Sequence, residues 1–290
     1  MKVLLVDVDS KIPNLALMQI SAWHKAEGDW TGLDVADPDM VYISCVFKKN
    51  AAQARGIATM FPNARVSIGG SGISWDRLPD PMVRVKPDYD LYPSEYSQGF
   101  TTRGCIRACP FCIVRRKEGE YKRWQHISEF HDQRFGIVRI MDNNWYADKE
   151  WFFENTRYII ERDLKVIEGG MDIRLLDHDI AERLKDIRWA KPMKFAWDNM
   201  NDEPAVIKGI ETLEDAGINI RHNVHFYVLV GYNTTHEQDV YRCQKLKELG
   251  TNAFVMPFKK TPEINALARW ANRKWAFWAT DFKNYKRGSK

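Results

Sequence analysis

Short apolar runs alternate with amphipathic stretches through the first part of the chain. In the stretches between the runs, apolar side chains recur at helical spacing, so helices are predicted there and strands in the runs. Strands that alternate with helices are typical of a parallel sheet covered on both faces. We therefore predict a small doubly wound α/β module over residues 1–77, with strands at 3–8, 40–47 and 65–68 and helices at 14–27 and 51–60.

The same alternation starts again after residue 98, beyond a proline-rich stretch at 78–97 that predicts a linker. Six strand-forming runs follow one another, and helical patterns separate most of them. Repeated βα units of this kind predict a (β/α)6 partial TIM barrel over residues 98–258. The predicted strands are 99–102, 136–141, 165–173, 193–197, 223–230 and 252–257, and the predicted helices are 148–162, 179–185, 204–216 and 236–249.

Polar residues follow the predicted barrel strands at the points where those strands end. Functional groups of such barrels collect at the carboxyl ends of the strands, which makes these residues candidates for ligand binding. Each group also has a structural alternative: a plain turn for the first, an ion pair for the second and a helix cap for the third. The three groups are Asp142, Asn143 and Asn144; Asp172 and Arg174; and Asp198 and Asn199.

The composition is that of a globular protein, with 44% apolar and 28% charged residues among 290. No stretch approaches the roughly 18 to 20 consecutive apolar residues of a membrane span, so no membrane partner is expected. The N-terminus lacks the apolar core of a signal peptide, which predicts a cytoplasmic location where thiols stay reduced. The net charge of +4 is too small to indicate nucleic-acid binding by itself.

Three of the five cysteines lie within one C-x3-C-x2-C run, formed by Cys105, Cys109 and Cys112. Structural zinc sites and simple ferredoxin clusters take four protein ligands, so three thiolates would leave one position of a [4Fe-4S] cluster open. The alternative is a zinc site completed by His126 or His131. An open metal position indicates chemistry more than architecture.

The run resembles the signature of the radical S-adenosylmethionine (SAM) superfamily, C-x3-C-x-aromatic-C after the first strand of a partial barrel. Cys105, Cys109, Phe111 and Cys112 carry the match, and the resemblance covers about residues 95–258. It implies an enzyme in which three thiolates hold a [4Fe-4S] cluster and SAM chelates the fourth iron. Reductive cleavage of SAM would give a 5′-deoxyadenosyl radical that abstracts hydrogen from a substrate.

The resemblance also implies which other residues contact SAM. Phe111 would lie beside the adenine, and residues 142–144 would replace the family's Gly-Gly-Glu segment at the amino group. Asp198 and Asn199 resemble the acid and small polar residue that bind the ribose. Gly231 ends the fifth strand in a degraded glycine motif with Thr234 in place of its acid, and Pro257 ends the sixth strand near the adenine.

The module at 1–77 resembles a reduced cobalamin-binding domain. In that family, a histidine in the loop after the first strand binds the cobalt. The corresponding loop here, residues 7–13, contains no histidine. Histidine-ligated cobalamin is therefore not expected, and a structural or substrate-recognition role is favoured over cobalamin bound without a protein ligand.

Partners follow from the same residues. Because Cys45 and Cys243 are isolated, no second cluster is expected, and a small reductant protein of the flavodoxin or ferredoxin type is implied. Basic residues at 115–117, 122 and 123, and the aromatic and basic tail at 259–290, keep RNA open as a substrate. The alternatives are thus an RNA- or peptide-modifying transferase of the methyl or methylthio type, and a non-catalytic iron–sulfur or zinc protein.

Overall fold

The first strand buries apolar side chains on both of its faces in the computed structural model, which describes residues 1–285. Val3 and Leu5 pack with Leu17 of the first helix, whereas Leu4 lies in a separate cluster with Ala54 of the second helix. Successive side chains of a strand point to opposite faces, so a strand that is apolar throughout needs a cover on each side. The two helices provide it, as the doubly wound prediction requires.

The N-terminal sheet has the order β2-β1-β3-β4, and all of its strand pairs are parallel. The short strand β2 was not predicted, because Trp30–Gly32 shows no alternation and the Trp30 side chain is exposed. It pairs with the start of β1 at the edge of the sheet. The elements are β1 (Lys2–Asp7), α1 (Leu15–Ala26), β2 (Trp30–Gly32), β3 (Met40–Ser44), α2 (Ala51–Ala58) and β4 (Arg65–Gly69).

The stretch predicted to be a linker is packed. It contains a short helix, and the buried Tyr89 hydroxyl donates a hydrogen bond of 2.7 Å to the Phe130 carbonyl oxygen. The proline content predicts a linker, but the hydrogen bond and the burial of Tyr89 show that the segment is packed against other residues of the chain. The following elements are α3 (Asp80–Val83), β5 (Ser97–Gly99), β6 (Thr102–Arg103), α4 (Val114–Glu118), β7 (Lys122–Arg123), α5 (Ile127–Phe130) and β8 (Ile137–Ile140).

By packing, the chain divides into two units. The first comprises residues 1–104 and 113–139, and the second comprises residues 105–112 and 140–285. The cysteine run thus belongs to the second unit, although both of its flanks belong to the first. The sequence-based boundaries at 77, 97 and 258 follow motifs, so they do not coincide with this division by packing.

The second unit is also built from parallel strands and helices. β11, β12 and β13 form a three-stranded parallel sheet, and β9 pairs in parallel with β10. Its elements are α6 (Lys149–Glu161), β9 (Lys165–Ile167), α7 (His178–Asp186), β10 (Arg188–Trp189), β11 (Met193–Ala196), α8 (Glu203–Asp215), α9 (Ile220–Asn223), β12 (Val224–Val230), α10 (His236–Glu248), β13 (Asn252–Pro257), α11 (Pro262–Ala271) and α12 (Lys274–Ala279).

The third predicted barrel strand is shorter than its apolar run. β9 ends at Ile167 rather than at residue 173, and residues Ile173–Leu175 form a 3-10 helix capped by the Asp172 side chain. The glycines at 169 and 170 interrupt the strand-forming pattern, and a Cβ atom at Gly169 would lie 2.8 Å from the Asp142 carbonyl oxygen. A side chain at this position would require the backbone to shift, so the close approach explains why the residue is glycine.

The C-terminal aromatic residues divide between core and surface. Trp270 is fully buried and donates its indole N–H to the Thr280 carbonyl oxygen, and Phe277 is buried as well, whereas Trp275 is 68% exposed. Aromatic packing of the helices explains most of the predicted tail, and residues 286–290 of that prediction lie outside the described chain. None of the helices within residues 1–285 combines the length and the apolar character needed to cross a membrane.

Candidate functional site

The cysteine run starts from a constrained glycine in the first unit. Gly104 has φ of +75°, and a Cβ atom at this position would overlap the Glu120 carbonyl oxygen. Its N–H donates to the Glu118 carboxylate at 3.1 Å, and the same carboxylate pairs with Arg103. The entry to the cysteine loop is therefore fixed by backbone conformation as well as by hydrogen bonds.

The side chains of the three cysteines in the loop are partly exposed. The Cys112 N–H donates to the Cys109 carbonyl oxygen at 3.0 Å, and the Arg107 N–H donates to Cys105 Sγ at 3.3 Å. These bonds fold the run into turns. Within residues 1–285, no group of three or more Cys, His, Asp or Glu side chains has the arrangement of a formed metal site.

A carboxylate in the second unit bonds to the cysteine loop. Asp172 accepts a hydrogen bond of 2.8 Å from Arg107 Nε and one of 2.7 Å from Arg174 Nε. Arg174 also reaches Asp202 at 3.3 Å, and the Tyr146 hydroxyl donates to the Asp172 carbonyl oxygen. Asp172 thereby joins the loop between Cys105 and Cys109 to the 3-10 helix that follows β9.

The two arginines determine the ionisation of this carboxylate. Burial of Asp172 opposes its charge, but hydrogen bonds from Arg174 and Arg107 hold its pKa below the ordinary value. The ion pair with Arg174 matches the structural alternative predicted from the sequence, and it extends further than expected because Arg107 takes part. Sequence reasoning missed Arg107, although its place inside the cysteine run was a usable signal.

The thiol of Cys109 lies in the electric field of the same network. Burial raises the pKa of Cys109, and the positive charge of Arg174 opposes part of that rise. About a third of the Arg174 side chain, 32%, is exposed, so solvent weakens this interaction without removing it. A nearby cation favours the thiolate, which is the form that binds metal.

The segment after β8 is more buried than a plain turn. Asp142 and Asn144 are each 2% exposed, and Asn143 is intermediate. Asn144 Oδ1 accepts no hydrogen bond from the residues that the structure describes. A buried carbonyl oxygen without a donor is costly, so this atom is available to a donor from a ligand.

Asp198 and Asn199, which the sequence treats as one pair, have different surroundings. The Asn199 side chain caps the 3-10 helix Met200–Asp202 by accepting the Asn201 N–H at 2.9 Å, as the helix-cap alternative predicts. Asp198 has no such role. Burial raises its pKa, and a backbone hydrogen bond from Leu229 and the charge of Arg242 oppose that rise. Of the two, Asp198 is the better candidate for ligand contact.

We expect Asp198→Asn to stabilise the protein near neutral pH. Because the folded pKa of Asp198 is raised above 3.8, the folded state holds this proton more tightly than the unfolded state. Wild-type stability should therefore fall as the pH rises from 3.8 through the folded pKa, and the variant should lose that dependence. Thermal unfolding at several pH values should show a rise of about 2–4 °C at pH 7, roughly 1 kcal/mol for a domain of this size.

The exposed Asp186→Asn at the end of α7 is the control for this experiment, and we expect it to leave both the unfolding temperature and the pH dependence unchanged. A lower unfolding temperature for Asp198→Asn would contradict the expectation. It would mean that the charge of Arg242 outweighs burial at this carboxyl.

Aromatic side chains join the cysteine loop to the ends of β12 and β13. The Phe111 ring lies 5.3 Å from the Tyr232 ring, and Tyr232 lies 4.7 Å from Phe258. Gly231 has φ of +73° and starts the turn that carries Tyr232, while Pro257 pairs in register with Val230. Phe111, Gly231 and Pro257 therefore belong to one region of the second unit.

The two histidines of the zinc alternative have other partners. His126 caps α5 by accepting the Ser128 N–H at 3.3 Å, and its backbone takes part in a capping box with Glu129. His131 Nε2 lies 3.0 Å from the Phe135 carbonyl oxygen, so this nitrogen carries the proton. Both rings are thus used in local hydrogen bonds of the first unit.

Neither the family models nor the curated proteins compared with this chain give a match. By donor chemistry alone, three cysteine thiols in one loop are the soft ligands that iron–sulfur clusters take, and the Asn144 oxygen without a donor would suit an amino group.

Proposed function

We propose that this chain is a radical SAM enzyme, in which Cys105, Cys109 and Cys112 bind a [4Fe-4S] cluster and SAM occupies its fourth iron. The observation that carries the proposal is the bond from Arg107, inside the cysteine loop, to Asp172, which caps the 3-10 helix after β9. When bound, the cluster would supply the electron for reductive cleavage of SAM, the source of a radical that could abstract hydrogen from a substrate.

The chain's own residues would bind and orient the cofactor. Asn144 Oδ1 would accept the amino N–H of SAM, and Asp198 would accept ribose hydroxyls. Phe111 is held against Tyr232, so its ring is available as an ordered apolar surface for the adenine.

Positive charge near the thiols supports the same proposal. Three thiolates and a SAM carboxylate concentrate negative charge in one place, and Arg107 and Arg174 provide two guanidinium groups there. The Asp172 carboxylate neutralises part of the positive charge of the two arginines, and its hydrogen bonds fix the orientation of both guanidinium groups. The arginines would stabilise the anionic ligands electrostatically, while Asp172 limits their mobility.

A (β/α)6 partial barrel remains the architecture that we propose for this function. The parallel sheet β11-β12-β13 and the parallel pair β9–β10 are its supporting observations. Within the described chain, the polar candidates follow strands β8, β9 and β11, as the C-terminal rim of a barrel requires.

The cysteines outside the run are poorly suited to a second cluster. Apart from the cysteine run, the described chain has Cys45 and Cys243, and both are fully buried. Burial raises the pKa of each thiol, which disfavours the thiolate needed to bind iron. We therefore propose a flavodoxin or ferredoxin type of reductant.

Anaerobic reconstitution with iron and sulfide tests the proposal. We expect about four irons per chain, and formation of 5′-deoxyadenosine when dithionite and SAM are added. Zinc binding with fewer than one iron per chain would favour a structural metal site instead. Four irons without nucleoside formation would favour a non-catalytic iron–sulfur protein.

Modification of RNA is a second candidate, favoured by charge and aromatic placement in and around the loop. Residues 100–123 contain seven basic and two acidic residues, a net charge of +5, which exceeds the +4 of the whole chain. In the first unit, the Arg116 guanidinium lies 4.0 Å from the ring of Trp75, a side chain that is 40% exposed. RNA binding that weakens steeply with salt would support this candidate, and binding insensitive to salt would exclude it.

A further inference from the structure

A fully buried ion pair on α10 bonds to the ends of two strands. The Arg242 and Asp239 side chains are 0% and 1% exposed, and Arg242 Nη2 lies 2.6 Å from Asp239 Oδ1. The guanidinium also donates to the Trp197 carbonyl oxygen at 2.6 Å and to the Leu229 carbonyl oxygen at 2.7 Å. Trp197 directly precedes Asp198, and Leu229 lies near the end of β12.

The Asp239 carboxylate extends these contacts to the loop after β12. It accepts the Gly231 N–H at 2.9 Å on one oxygen and the Thr234 hydroxyl at 2.6 Å on the other. Tyr232, which contacts Phe111 of the cysteine loop, lies between these two anchored residues. One ion pair therefore bonds to the backbone beside Asp198 and to the turn that presents Tyr232.

Stability alone is a poor reason for such a pair. Removing two charges from water costs free energy that their attraction seldom exceeds, and well-packed apolar residues often serve equally well. What an apolar pair cannot do is bond to Trp197, Leu229 and Gly231 at once. The geometry thus favours a role in fixing backbone positions over a role in stabilising the core.

We infer that Arg242 and Asp239 are positioning residues, which hold the Asp198 strand end and the Gly231–Thr234 turn in one arrangement for SAM. The SAM part of this inference rests on the proposed function. The arrangement of the two backbone segments does not depend on the proposed function, because their amide hydrogen exchange can be measured without any cofactor.

The test is a double variant, Arg242→Met with Asp239→Leu, which removes both charges together and leaves neither one buried alone. We expect a lower unfolding temperature, because the Trp197 and Leu229 carbonyl oxygens and the Gly231 N–H lose these partners, with faster amide hydrogen exchange confined to residues 197–199 and 229–235. After reconstitution, iron content should be unchanged while SAM affinity falls about tenfold or more, as expected when preorganisation is lost. Arg242→Lys, which keeps the charge but loses the planar fork, should give a smaller effect in the same segments.

Leu246→Ala is the matched control, since it removes a fully buried side chain from the same helix. It should lower the unfolding temperature without selective exchange at the two segments. Wild-type exchange and wild-type SAM affinity in the double variant would overturn the inference. If the wild type itself binds no SAM, the proposed function fails, and the exchange measurement alone still decides whether the pair positions the two segments.

Discussion

Replacing Cys109 with alanine should reduce the iron bound after reconstitution from about four per chain to near zero. Cys109 is the middle cysteine of the run, and the positive charge of Arg174 acts on its thiol. Two thiolates cannot hold a cubane cluster at three irons, so formation of 5′-deoxyadenosine should fall below detection. Iron analysis, the absorbance of the cluster and nucleoside production measure the loss together.

Cys45→Ala is the matched control for this experiment, because it removes a buried thiol of the first unit that lies outside the run. It should keep the full iron content, with a modest loss of stability from the smaller side chain. If Cys109→Ala keeps four irons and its activity, the cysteine run is not the cluster site and the proposed function is wrong.

Gly104→Ala should be the most damaging single methyl addition near the loop. The residue has positive φ, and a Cβ atom there would overlap the backbone of Glu120, which has little freedom to move. We expect a loss of about 1–3 kcal/mol from overpacking beyond the cost of the strained φ itself. Because Cys105 follows directly, cluster content should fall along with the free energy of unfolding.

Gly119→Ala separates the cost of the overlap from the cost of the strained φ. Gly119 has a similar φ of +82°, but a Cβ atom there meets nothing within 4 Å. Its loss should therefore reflect backbone strain alone, and cluster content should stay at the wild-type level. Equal losses in the two variants, measured by denaturant unfolding, would show that the overlap with Glu120 is relieved at no cost.

Local signals in the sequence predict the elements well. The strand predicted at 252–257 has the observed bounds of β13, and the helix predicted at 236–249 matches α10 to within one residue. Apolar alternation and capping residues act over a few positions, so one sequence contains the information. The strand predicted at 165–173 extends beyond the end of β9 at Ile167, although the two glycines at 169 and 170 were a local signal for the break.

The candidate site depends on contacts between residues that are far apart in the sequence, which local patterns do not predict. Asp172 and Arg174 were predicted from their place after a strand, but Arg107 is 65 residues from Asp172, and no local pattern connects them. The Arg242–Asp239 pair has ordinary helical spacing, which predicts a solvated surface pair rather than a buried one. Only the packing of α10 against β12 and β13 buries the pair and brings it to the backbone groups that it bonds. Cofactor roles of the strand-end residues stay predictions.

The bond between Arg107 and Asp172 can form only after both residues have been synthesised. During synthesis, the three cysteines leave the ribosome before Asp172 and Tyr232 exist, so the nascent loop lacks both of its anchors in the second unit. Contacts over such distances along the chain form late in folding. Until these contacts form, the loop that carries the thiols lacks the hydrogen bond and the ring contact that anchor it in the folded protein. Iron added after release of the full chain would bind to an anchored loop. Oxidation of the thiols before release would act on a loop that lacks these contacts.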